Sequence, residues 1–116
     1  MDQSSLPIAQ IKAELFRALA HPVRVRALEL LVQEERSVGD LATALDVDIS
    51  HLSQQLAVLR RADVVVTRRE GNTIYYSVQN PGIPALLKTA RELIVASLQN
   101  SSSLLATLEV GEGSPE

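Results

Sequence analysis

Four arginines, Arg60, Arg61, Arg68 and Arg69, fall within ten residues of a 116-residue chain whose formal net charge is −3. A guanidinium is a planar fork of N–H donors that fits oxyanions bidentately, so the chemistry such a cluster could do is to hold anions, phosphate above all. Just upstream stand Ile49, Ser50, His51, Ser53 and Gln54. Their polar members are uncharged and can both donate and accept hydrogen bonds, which is what reading the edges of bases requires: Gln pairs well with adenine, and Ser is permissive. A purely local reading stands beside this one. Arginines at a helix C-terminus offset its dipole, and arginines on an edge strand keep it soluble. Catalytic chemistry finds no support. There is no cysteine nucleophile, no Ser-His-acid order, no pair of acids in an aromatic setting and no Gly-rich phosphate loop before a helix, so neither an enzyme nor a cofactor is expected.

The bulk composition, 46% apolar and 22% charged, is that of a globular protein. No apolar run is long enough to cross a bilayer. The start, "MDQSSLPIAQIK", lacks the basic and then apolar pattern of a secretion signal. Without cysteine there is no disulfide and no thiolate metal site. A cytoplasmic location is therefore expected. Charge is unevenly placed: residues 37–48 carry Asp40, Asp46 and Asp48 with no base, whereas residues 49–69 set the four arginines against Asp63 alone. It is this placement, and not the total, that bears on partners.

The elements that must position these side chains can be read from periodicity. Ile8, Ile11, Leu15, Phe16 and Leu19 recur at helical spacing. "AHP" breaks the pattern, and Pro22 suits the first turn of a second helix running to about Val32. "EERS" ends that helix, and a short one follows over Val38–Leu45. After "DVD", Asp48 is a good N-cap for a helix over Ile49–Ala62, whose buried stripe is Leu52, Leu56 and Leu59. The period then changes. "VVVTRRE" and "NTIYYSV" are short and β-branched, joined through Gly71, and predict a hairpin. "NPG" stops it, and Ile83 to about Leu108 predicts a long helix. Residues 1–109 are expected to form one domain, and the Gly- and Ser-rich residues 110–116 a flexible tail. The fold class is mainly α with a β-hairpin wing (α+β), a winged helix-turn-helix in the order α-α-α-α-β-β-α. In that layout the helix at 49–62 lies in a DNA major groove, and all four arginines can approach flanking phosphates.

Residues 15–78 resemble the ArsR/SmtB family of bacterial winged helix-turn-helix transcriptional repressors. Three segments carry the resemblance: "ALAHPVRVRALELL", "SQQLAVLRRADVV" and "RREGNTIYYSV". It implies a homodimer, built from the first and last helices, that binds an imperfect palindrome in a promoter and is typically released by an inducer; for this chain a small molecule, a partner protein and no inducer at all stay open. This sequence departs from the family where many members have Gly and it has Asp46 and Asp63. Asp tolerates left-handed turns, so the fold is expected to survive both changes. Metal-sensing members often carry a cysteine pair where Ser37 and Gly39 stand here, or His and carboxylates on the last helix. Between Ile83 and Leu108 this chain has only Glu92. No metal site is expected, and His21 is read as a cap or packing residue.

The last helix carries more apolar surface than so small a domain can cover. A dimer interface is therefore expected from Ile11, Leu15, Leu86, Leu87, Ala90, Leu93, Ile94 and Leu98. The expected function is a sequence-specific DNA-binding transcriptional regulator, a homodimeric repressor partnered by double-stranded DNA and not by a membrane. The alternatives are a winged-helix protein-interaction module, with Arg68 and Arg69 meeting an acidic partner, or an activator or architectural DNA-binding protein.

Overall fold

A computed structural model describes residues 5–113 of the chain, with side chains described as far as Glu109. Its elements are α1 (Leu6–Leu19), α2 (Pro22–Gln33), β1 (Arg36–Ser37), α3 (Val38–Leu45), α4 (Ile49–Arg61), β2 (Val66–Glu70), β3 (Thr73–Ser77) and α5 (Gly82–Gly113). They divide into two compact units, residues 1–83 and 84–116.

In the first unit, α2, α3 and α4 pack on one another, and α1 packs on α4. Leu28, Leu41, Leu52, Leu56, Leu59 and Val65 are the largest fully buried side chains, so the core lies where the three middle helices meet the root of the sheet. The starts of α2, α3 and α4 are each fixed by a side chain that accepts from an otherwise unpaired backbone N–H. His21 Nδ1 accepts from Val23 N at 3.1 Å, Ser37 Oγ from Asp40 N at 3.1 Å, and Asp48 Oδ2 from His51 N at 3.4 Å. Pro22 occupies the first turn of α2, as expected.

The sheet is antiparallel with strand order β1-β3-β2. Sequence periodicity predicts two of these strands and misses β1. That strand is only two residues long and pairs Arg36 with Tyr76 and Ser37 with Tyr75, too short to show alternation. The hairpin begins two residues later than "VVV" suggests, because Val64 and Val65 are buried in the core. Glu70 pairs with Thr73 across a two-residue loop, and Gly71 has φ +62°. A positive φ at the first central position is what a type II′ hairpin turn requires, and glycine adopts it without strain.

The second unit is α5 from Pro84 onward. It runs past the expected end at Leu108 and takes in Gly111 and Gly113. Glycine weakens a helix but does not stop it, and the first strict breaker in the sequence is Pro115. Of the expected tail, residues 110–113 are thus helical, and 114–116 lie outside the described residues. Every described side chain from Lys88 to Glu109 is exposed, among them Leu93, Ile94, Leu98, Leu104, Leu105 and Leu108. No helix among the described residues is long and apolar enough to cross a membrane.

Candidate nucleic-acid interface

Helix α4 is held from behind and open in front. Leu52, Leu56 and Leu59, at intervals of four and three, bury one face completely. The opposite face of its N-terminal half presents Ser50, His51, Ser53 and Gln54, all exposed, while Ile49 is exposed in the first turn on the side of the buried stripe. Helical spacing puts residues 50, 53 and 54 side by side, so their hydrogen-bonding groups form one short patch. The turns on either side of α4 each hold a non-glycine residue in the left-handed region, Asp46 at φ 54° and Asp63 at φ 59°. Both are the positions where aspartate was expected to stand in for glycine.

One residue farther on, Gln55 turns inward. Its Oε1 accepts from Arg24 Nε at 2.8 Å, while Arg24 Nη1 donates to the backbone oxygens of Ala18 at 2.9 Å and Arg17 at 3.3 Å. Arg24 therefore ties the C-terminus of α1, through α2, to the middle of α4. Sequence reasoning missed it, since nothing local distinguishes Arg24 from a solvated helix arginine. His21, distant in sequence from His51, has its ring 6.0 Å from it, centroid to centroid, and tilted by 53°. Two imidazoles supply half of a tetrahedral metal set, and among the described residues no group of three or more His, Cys, Asp or Glu side chains could hold a metal ion.

The wing separates two arginines that the sequence placed together. Successive side chains of a strand point to opposite faces. Arg68 therefore shares a face with Glu70 and with Tyr75, its partner across the ladder, whereas Arg69 lies opposite Ile74 on the other face. Arg68 is fully engaged. Its Nε donates to both Glu35 oxygens at 2.9 Å, Nη2 lies 2.7 Å from Glu35 Oε1, and Nη1 donates to Glu70 Oε2 at 2.7 Å. The guanidinium carbon also sits 4.5 Å from the centre of the Tyr75 ring, within cation–π range. Hydrogen bonding to Arg68 holds the Glu35 carboxyl below its ordinary value, and the two carboxylates raise the Arg68 pKa. Two negative charges thus surround one positive charge. Arg69, Arg60 and Arg61 are exposed, and none forms an ion pair among the described residues. Arg60 and Arg61 occupy the last turn of α4, which puts Arg61 about 18 Å along the helix axis from Ile49 at 1.5 Å per residue.

Comparison with known proteins bears on what this surface is for. Residues 21–67, from the cap of α2 to the first strand of the wing, match the family described as bacterial regulatory protein, arsR family. The uncharacterized HTH-type transcriptional regulator Rv0081 of Mycobacterium tuberculosis is 47% identical over 92% of this chain and 95% of its own length. The chain belongs to the ArsR family. Family membership makes this chain a winged helix-turn-helix DNA-binding transcriptional regulator and not an enzyme. The crystal structure of Rv0081 superposes with a TM-score of 0.77 at 48% identity, covering 83% of this ArsR-family chain and 97% of that one. A biofilm growth-associated repressor of Agrobacterium fabrum is 40% identical, over 76% of this chain and 75% of the relative. The homodimeric winged helix-turn-helix DNA-binding domain Mb0332 of Mycobacterium bovis superposes with a TM-score of 0.76 at 27% identity, over 86% of this chain and 93% of that domain.

Proposed function

We propose that this regulator is a cytoplasmic homodimeric repressor that binds an imperfect palindrome in a promoter and reads each half-site with α4. The observation that carries the reading is the exposed, uncharged, hydrogen-bonding patch on the N-terminal half of α4, set on a fully buried back. Ile49, Ser50, His51, Ser53 and Gln54 face the bases, with Ile49 supplying apolar contact of the kind a thymine methyl takes. Arg69 from the wing and Arg60 and Arg61 from the end of α4 hold phosphates. Arg68 differs from its neighbour: held by Glu35 and Glu70, it fixes the wing to the turn after α2 and adds no net positive charge to the surface.

Dimerisation is supported by apolar surface that the chain leaves uncovered. On α1, Leu6, Ile8, Ile11 and Phe16 are 50–66% exposed, and on α5, Leu93, Ile94 and Leu98 are 60–67% exposed. With Leu15, Leu86 and Leu87, which are half-buried, and Ala90, which is exposed, these residues form the proposed interface. The homodimeric state of the Mb0332 domain favours the same arrangement. A dimer would set two copies of α4 about one helical turn of DNA apart, ~34 Å. Selection of bound duplexes from a random pool tests the proposal. An enriched inverted repeat with half-sites at that spacing is expected, and a pool that stays random would refute it.

A further inference from the structure

We infer that the cleft between α1, α2 and α4 is a binding site for a small organic anion, a carboxylate or phosphate carried on a short apolar body. The cleft has a volume of about 510 Å³ and is lined by Glu14, Arg17 and Ala18 from α1, Arg24 from α2, and Val58 and Arg61 from α4. That volume lies within the range of roughly 300–1,000 Å³ typical of small-molecule sites.

Three guanidinium groups line the cleft beside one carboxylate, and Glu14 forms no ion pair with any of them. The carbonyls of Arg17 and Ala18 partly offset Arg24. The charges of Arg17 and Arg61 have no such offset among the described residues. An anion between them would relieve like-charge repulsion and gain charge-assisted hydrogen bonds. Arg24 adds a donor that is already fixed in place. Its Nε and Nη1 are committed to Gln55 and to the end of α1, so the planar fork is immobilised while Nη2 has no partner among the described residues. A donor ordered in advance loses little entropy on binding. Buried Ala18 and half-buried Val58 supply an apolar floor that a bare inorganic ion would leave uncovered. These features together select an anionic head with an apolar body.

A phosphate of the bound duplex has the same head-group chemistry. It is the weaker candidate, because Arg61 alone among the lining residues belongs to the proposed phosphate-holding set and a backbone phosphate would leave the apolar floor of Ala18 and Val58 uncovered. Position also gives the site a consequence. The cleft includes α4, which reads bases, and α1, which carries exposed apolar surface, so an occupant touches both elements on which operator binding depends. The effector role therefore rests on the proposed function, but binding itself does not.

The test is titration of the full chain without DNA, followed by calorimetry and by amide and methyl NMR. The probes are benzoate, phenyl phosphate and inorganic phosphate, with benzylamine as the cationic control. Benzoate and phenyl phosphate should saturate at one per chain, with shifts centred on Ala18, Val58 and Arg61, and inorganic phosphate should bind more weakly. Arg17→Ala and Arg61→Ala should each weaken benzoate about tenfold, the loss expected for one charge-assisted hydrogen bond. Both sites are exposed, so the variants should fold, whereas Arg24→Ala would also cut the tie between helices. Lack of saturation at millimolar probe, or equal binding of benzylamine, would overturn the inference. So would phosphate binding as tightly as its phenyl ester. If the probes fail while Arg17→Ala flattens the salt dependence of DNA binding, the cleft belongs to the duplex and the inference is wrong.

Discussion

Replacing Arg69 by alanine should flatten the salt dependence of DNA binding far more than replacing Arg68 does. The two residues are adjacent and chemically identical, so the contrast isolates what the fold does to each. Every phosphate neutralised by a protein cation contributes about −0.9 to the slope of log K against log salt. A dimer that loses one Arg69 contact per chain should therefore lose about 1.8 from that slope. Between ~50 and ~200 mM salt, a change of 1.8 amounts to about a tenfold difference in relative affinity. Arg68 begins surrounded by Glu35 and Glu70. Its removal costs no phosphate contact but leaves two carboxylates unpaired beside the duplex, a repulsion that salt screens, so affinity should fall most at low salt and the slope should change by well under the ~1.8 expected for Arg69. Fluorescence anisotropy with the selected operator at four or five salt concentrations measures both quantities. Equal loss of slope in the two variants would mean that Arg68 leaves its carboxylates for DNA, and the opposite-face argument would fail.

Gln54→Ala should cost about 1–3 kcal/mol on the preferred operator and relax one position per half-site; a variant with unchanged affinity and preference would remove Gln54 from the base-reading set. Ile94→Glu combined with Leu98→Glu should shift the chain to monomer in sedimentation and abolish operator binding, and a wild-type monomer at micromolar concentration would contradict the dimer. The carboxyl of Glu35, depressed by Arg68, should stay ionised as pH falls through the ordinary carboxylate range, so the clamp is complete above that range and lost only below it. In NMR titration Arg68→Ala should return Glu35 to its ordinary value; no change would mean the pair does not persist in solution. Titration with zinc, nickel, cobalt, copper or cadmium should leave operator affinity unchanged, and a stoichiometric metal that altered it tenfold, about 1.4 kcal/mol of coupling, would show that His21 and His51 gain further ligands in the dimer.

What could be read from the sequence was local. Helix α3 matches its expected span, and α2 and α4 match theirs to within a residue, because caps and apolar spacing are written within a few positions of where they act. Asp48 as a cap and the hairpin turn at Gly71 were legible for the same reason. The exposed face of α4 followed from where Leu52, Leu56 and Leu59 had to go. The interactions that engage Arg68 and Arg24 within the chain were not legible. Arg68 meets Glu35 across 33 positions and Arg24 meets Gln55 across 31, and either arginine would look the same in sequence if it were free. Strand β1 exists only because β3 offers it an edge, and α5 runs long because no residue stops it sooner.

Asp46 and Asp63 bracket α4 in backbone conformations that cost a side-chain-bearing residue about 1–2 kcal/mol. Glycine would remove that cost, but it would also enlarge the ensemble of unfolded chains by about 0.4–1 kcal/mol per site. The two contributions oppose each other, so the net gain from glycine is at most about 1.6 kcal/mol per site and falls to nothing at the other end of the ranges. What differs is the breadth of the native well. Glycine widens the range of angles at which α4 can leave each turn, and aspartate narrows it. These two residues therefore set how steady an angle α4 keeps against the rest of its domain, a quantity on which selection for operator discrimination can act separately from selection for stability.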